Sequence, residues 1–129
     1  MLSLKKIHHI AIICSDYERS KEFYTEILGL TIVKETLRAD RNSYKLDLAL
    51  HGELVIELFS FIDPPLRTSK PEAAGLRHLA FAVNDIEEAV AFLENNDIYP
   101  EPIRTDTLTG KRFTFFPDPD DLPLELYEE

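Results

Sequence analysis

Two histidines and two glutamates stand at matched places in this chain, and together their types suit a divalent cation. His9 opens an alternating segment, His9-Ile10-Ala11-Ile12-Ile13-Cys14-Ser15-Asp16. His78 opens a second, His78-Leu79-Ala80-Phe81-Ala82-Val83-Asn84-Asp85, with His, Ala and Asp recurring 69 residues further on. Glu57 lies in Leu54-Val55-Ile56-Glu57-Leu58, and Glu125 lies 68 residues later in Leu122-Pro123-Leu124-Glu125-Leu126. A repeat of this length marks a duplicated supersecondary unit.

A carboxylate in an apolar strand costs several kcal/mol if unpaired, or else takes up a proton. Two converging carboxylates also repel each other. A divalent ion removes both difficulties, and neutral imidazoles complete the shell. Two nitrogens and two carboxylate oxygens suit the borderline first-row ions Zn, Ni, Co, Mn and Fe(II), and the affinity order alone does not choose among them. Four protein ligands on an ion that accepts six leave two positions for water or substrate, which is a catalytic layout. A substrate with neighbouring oxygens could take both positions, the ion acting as a Lewis acid on an enediolate or oxyanion. A glutamate loosened from the metal could then carry a proton.

The elements that must position these residues follow from side-chain alternation and turn chemistry. Leu4 to Ser15 reads as a strand with His9, Ala11 and Ile13 on one face. His8 has the opposite parity and is expected to stay outside the site. Asp16 to Leu28 reads as a helix, capped by Ser15 or Asp16 and ended by Gly29. Strands are expected at Leu30 to Leu37, Tyr44 to Leu50 and Leu54 to Phe61, with a turn at His51-Gly52-Glu53. Pro64, Pro65 and Pro71 mark 63–74 as a linker. The second unit repeats the plan. It has a strand from Gly75 to Asp85, a helix from Asp85 to about Asn95, a short strand at Ile98 to Arg104, and strands at Arg112 to Phe116 and Leu122 to Tyr127. Each half is therefore β-α-β-β-β, an α+β plan with modules at 4–62 and 75–129. The bulky aliphatic faces pack on the helices, and the faces bearing His9, Glu57, His78 and Glu125 line one cleft.

Other side chains carry less. His51 falls in a turn and Cys14 reads as core. Arg77, Lys111 and Arg112 are candidates for an anionic substrate, with solvation the simpler reading. Phe59, Phe61, Phe113, Phe115 and Tyr127 are expected mainly in the core, with Phe59 the best pocket wall. A length of 129 residues and 44% hydrophobic content suit one compact domain. The formal net charge of −10 argues against a polyanion partner. No run has membrane-spanning length, and a single cysteine offers no internal disulfide, which fits a soluble cytoplasmic protein. Glycine-rich phosphate loops, dinucleotide fingerprints and serine-histidine-acid patterns are missing.

His9-Ile10-Ala11-Ile12, the helix Asp16 through Tyr24 with Ile27-Leu28-Gly29-Leu30, Ile56-Glu57-Leu58, Gly75 through Phe81, and Asp118-Pro119-Asp120 through Leu126 together resemble the vicinal oxygen chelate superfamily. This is the fold of glyoxalase I, bleomycin-resistance proteins and dioxygenases, here in the form of a small stand-alone bacterial member. The resemblance implies a single domain of two βαβββ modules over 1–129, sheets curving around a metal cleft, and pairing of modules within a chain or across a homodimer. It also implies His9, Glu57, His78 and Glu125 as metal ligands, with Glu125 and Glu57 the catalytic carboxylates and Glu125 tied to proton transfer. Keeping all four resembles glyoxalase I, a metal-dependent lyase. Related Fe(II) dioxygenases keep only the two histidines and the last glutamate, and bleomycin-resistance-like proteins bind a ligand without turnover. Phe59-Ser60-Phe61 and the short Arg38–Glu57 segment depart from glyoxalase I where that enzyme meets its substrate.

Overall fold

The computed structural model describes residues 1–129. It divides into two compact units, Met1–Pro65 and Leu66–Glu129.

The first unit runs β1 (Ile10–Cys14), α1 (Tyr17–Glu22), a π-helical turn (Phe23–Ile27), β2 (Thr31–Arg38), a short 3₁₀ turn (Ala39–Arg41), β3 (Ser43–Leu50) and β4 (Glu53–Ser60). Its sheet has the order β1-β4-β3-β2. β1 lies parallel to β4, and the other pairs are antiparallel. Alternation places Leu46, Leu48, Ile56 and Leu58 on one face, all at most 1% exposed, where they form the core with Ile12, Phe23 and Tyr24. The Asp16 carboxylate accepts the Arg19 N–H at 3.2 Å, satisfying a donor at the N-terminus of α1.

The second unit repeats the plan with β5 (Leu79–Val83), α2 (Ile86–Asn95), β6 (Arg104–Thr105), β7 (Arg112–Pro117) and β8 (Pro123–Glu128). The order is β5-β8-β7-β6, again with the first and last strands parallel. Ile86, Leu93, Phe116, Leu124 and Leu126 are its buried apolar side chains. Asp85 caps α2 by accepting the Glu88 N–H at 3.0 Å. The α+β fold of two βαβββ modules is the one that the duplicated pattern predicts.

Three elements differ from expectation. β1 starts at Ile10, not Leu4, because its parallel ladder with β4 runs only from Ile10↔Ile56 to Cys14↔Ser60. The first helix loosens after Glu22, where the Leu28 N–H reaches back five residues to the Phe23 carbonyl at 3.0 Å. The Thr25 hydroxyl donates to the Lys21 carbonyl at 2.7 Å in that turn, the back-bonding by which threonine perturbs a helix. Gly29 follows with φ +76°, as a helix-ending glycine should. The strand expected over Ile98 to Arg104 shrinks to Arg104–Thr105, since Pro100 and Pro102 have no N–H for a ladder.

Candidate metal centre

Each unit brings its own histidine and glutamate together. In the first, His9 Nδ1 lies 3.3 Å from Glu57 Oε2. In the second, His78 Nε2 lies 2.9 Å from Glu125 Oε2. The sheet ladders explain the recurrence. Glu57 stands across from Ala11, and Glu125 across from Ala80, so each glutamate faces the residue two places after its histidine. That residue points to the same side of the strand and carries only a methyl group, which leaves room for imidazole and carboxylate to meet. Glu57 is buried and His9 exposed; Glu125 and His78 are both half-buried.

The surroundings of the two pairs differ. Beside Glu57, β3 places Lys45 Nζ 3.6 Å from Oε1 and 3.2 Å from Asp47 Oδ1. The first glutamate is therefore not the unpaired carboxylate that the sequence argument supposes. Beside Glu125 the equivalent strand is aromatic. Phe115 stands across the ladder from Glu125, and its ring meets His78 edge-on at 5.1 Å. Phe113 stacks on Tyr127 with ring centres 6.4 Å apart. These rings lie on the site face, which corrects their expected place in the core.

His8 is a second correction. Its Nδ1 lies 2.8 Å from His9 Nδ1, and with Glu57 the two histidines present ligand atoms within 4.8 Å of one another. Strand parity fails to exclude His8 because β1 begins only at Ile10, so residues 8 and 9 need not alternate. Lys45 was not legible from the tight His51-Gly52 hairpin alone: a register shift between Leu48 and Ala49 is what sets Asp47 across from Glu57 and Lys45 across from Phe59. His51 occupies that turn, with φ +50°, and is exposed. Cys14 is buried in the core, as expected. Arg112 is bound to the Glu128 carboxylate through two contacts of 2.9 Å, and Arg77 to Glu72 at 3.0 Å.

The donor sets fit a divalent ion. Ligand atoms on adjacent corners of an octahedral shell, with bonds of about 2.1 Å, lie about 3 Å apart. Both His–Glu separations are of that size. One imidazole nitrogen and one carboxylate oxygen per unit also match the borderline first-row ions. The second unit holds in addition a cavity of about 660 Å³, bordered by His78, Phe115, Tyr99, Arg67 and Arg104.

Residues 6–126 match the model of the Glyoxalase/Bleomycin resistance protein/Dioxygenase superfamily. The chain belongs to this superfamily. It is 67% identical over 126 residues to YwkD of Bacillus subtilis (strain 168), covering 98% of each chain. It is 62% identical over 129 residues to YaeR of Escherichia coli (strain K12), covering both in full. Among solved structures, the glyoxalase family protein from Enterococcus faecalis superposes with a TM-score of 0.88 at 52% identity, over 96% of this chain and 98% of that one. More distant relatives in the superfamily have different chemistries. They include the lactoylglutathione lyase of Schizosaccharomyces pombe, 27% identical over 99% of this chain and 49% of its own length. The 2-epi-5-epi-valiolone epimerase of an Actinomyces species is 29% identical over 93% of this chain and 77% of its own. No helix is long and apolar enough to cross a membrane.

Proposed function

We propose that this protein is a divalent-metal-dependent lyase or isomerase of the glyoxalase I type, acting on a small substrate with vicinal oxygens. The observation that carries the reading is the recurrence of one His–Glu pair at the same ladder position in both modules. In this reading His9, Glu57, His78 and Glu125 are the ligands of one ion, Zn or Ni first. The ion supplies Lewis acidity toward two neighbouring substrate oxygens.

The chain's own residues take distinct parts. The histidines hold position as neutral donors. Glu57 stays anchored, because Lys45 also claims its carboxylate. Glu125 has no cation beside it in an ion pair, and its neighbour across the ladder is an aromatic ring. It is therefore the carboxylate better able to swing toward a substrate carbon and carry a proton between adjacent carbons. Phe115 shields that carboxylate from part of the solvent.

The test is metal content and affinity, followed by turnover. Wild-type protein should hold one divalent ion per pair of modules. Glu57→Gln, Glu125→Gln, His9→Ala and His78→Ala should each weaken zinc affinity by about tenfold or more, measured by titration calorimetry. The wild type should turn over the glutathione–methylglyoxal hemithioacetal or a related dicarbonyl adduct, and should consume no oxygen with catechols. Full-strength zinc binding in all four variants would remove these residues from the shell.

A further inference from the structure

We propose that the cavity of the second unit is an oxyanion subsite in which Arg67 and Lys70 grip a carboxylate or phosphate carried by the substrate. The proposal deepens the metal-site reading, in that His78 borders the same cavity.

Four cations and three carboxylates surround this space: Arg67, Lys70, Arg77 and Arg104 against Glu72, Glu101 and Asp121. Two of the cations are already matched. Arg77 forks onto Glu72 with contacts of 3.0 and 3.1 Å, and Arg104 reaches Glu101 at 3.1 Å while lying over the Phe113 and Phe115 rings. Arg67 and Lys70 take part in no ion pair, and neither does Asp121.

Arg67 is held in place entirely by neutral groups. Its Nε donates to the Ser69 hydroxyl at 3.0 Å, and its Nη2 donates to the carbonyls of Leu76 and Arg77, the latter at 3.3 Å. Ser69 in turn donates to the Asp121 carbonyl at 2.7 Å. A guanidinium fixed by carbonyls keeps its full charge and leaves Nη1 with no protein acceptor, the pre-organised form that recognises planar or tetrahedral oxyanions. This local excess of positive charge stands out in a chain whose formal net charge is −10. The polyanionic remainder repels anions in general, so a concave cationic spot decides where one can settle. The aromatic Phe115 and Tyr99 give the same cavity an apolar wall for the carbon skeleton between that oxyanion and the vicinal oxygens.

Three probes share a vicinal diol and differ in the distal group: butane-1,2-diol, 3,4-dihydroxybutanoate and glycerol 3-phosphate. Binding is followed by calorimetry and by amide NMR shifts, on metal-free and zinc-loaded protein. The two anionic probes should bind at least tenfold more tightly than the diol, and the better of them identifies carboxylate or phosphate. Arg67→Gln should remove that preference while leaving the diol's affinity in place. Lys70→Gln, whose side chain makes no ion pair, should lower the preference severalfold with zinc affinity intact. Equal binding of all three probes to zinc-loaded wild type would overturn the subsite and leave the metal reading standing. A parallel loss of diol and zinc affinity in Arg67→Gln would also overturn it, assigning Arg67 to holding His78. If wild type binds no zinc, the metal reading falls, and an anion preference persisting in metal-free protein still supports the subsite.

Discussion

Lys45 lies 3.6 Å from Glu57, whereas the matching ladder position in the second module, across from Tyr127, is Phe113. An ammonium and a divalent ion compete for the same carboxylate oxygens. Removing the ammonium should therefore help the metal. Lys45→Met is expected to raise zinc affinity about two- to fivefold, the size of a partly exposed ion pair, read by competition with a chelating dye. It should also free Asp47, whose Oδ1 has Lys45 as its 3.2 Å partner. Unchanged or weaker zinc binding would mean that Lys45 orients Glu57 and does not compete for it.

At the scale of elements, the site depends on ladders that set a glutamate across from an alanine, and a second carboxylate ties one such ladder to its helix. Glu128 of β8 accepts two contacts from Arg112 of β7 and one from the Ile86 N–H at the start of α2. The Arg112 guanidinium, and after it the Ile86 N–H, hold the Glu128 carboxyl below its ordinary value of 4.5. A depressed carboxyl favours the folded state when ionised, so its contribution is present above pH 4.5 and is lost as pH falls through the lower folded value. Glu128→Gln should accordingly flatten the acid limb of a thermal-stability profile below that pH and leave the neutral region parallel to wild type. The core faces of β3, β4 and β8 were legible because strict alternation of leucine and isoleucine fixes which side is buried. The His9 and His78 pairings were legible through the repeat. Ends of elements were not: the start of β1 depends on where β4 offers a partner, and the π turn after Glu22 on a threonine hydroxyl competing for a carbonyl. His8 was missed for the first of these reasons, and Phe113 and Phe115 because aromatic residues have no signature for facing a ligand instead of a core.

For the whole molecule, a ligand held only by the folded state must stabilise it. Zinc at a hundred times its dissociation constant should add about 2.7 kcal/mol to unfolding, visible as a rise in Tm that a chelator reverses and that a tenfold weaker His78→Ala cuts to about half. The same doubled architecture repeats its smallest side chains: Ala11 and Ala80 lie beside their glutamates, and both are exposed. A methyl group there is the clearance that lets ring and carboxylate close on an ion. Ala80→Leu should therefore wedge His78 away from Glu125 and crowd the approach at once, so that zinc affinity and the admission of larger guests fall together in one titration series. The smallest side chain on the strand thus sets the bite of the largest ones.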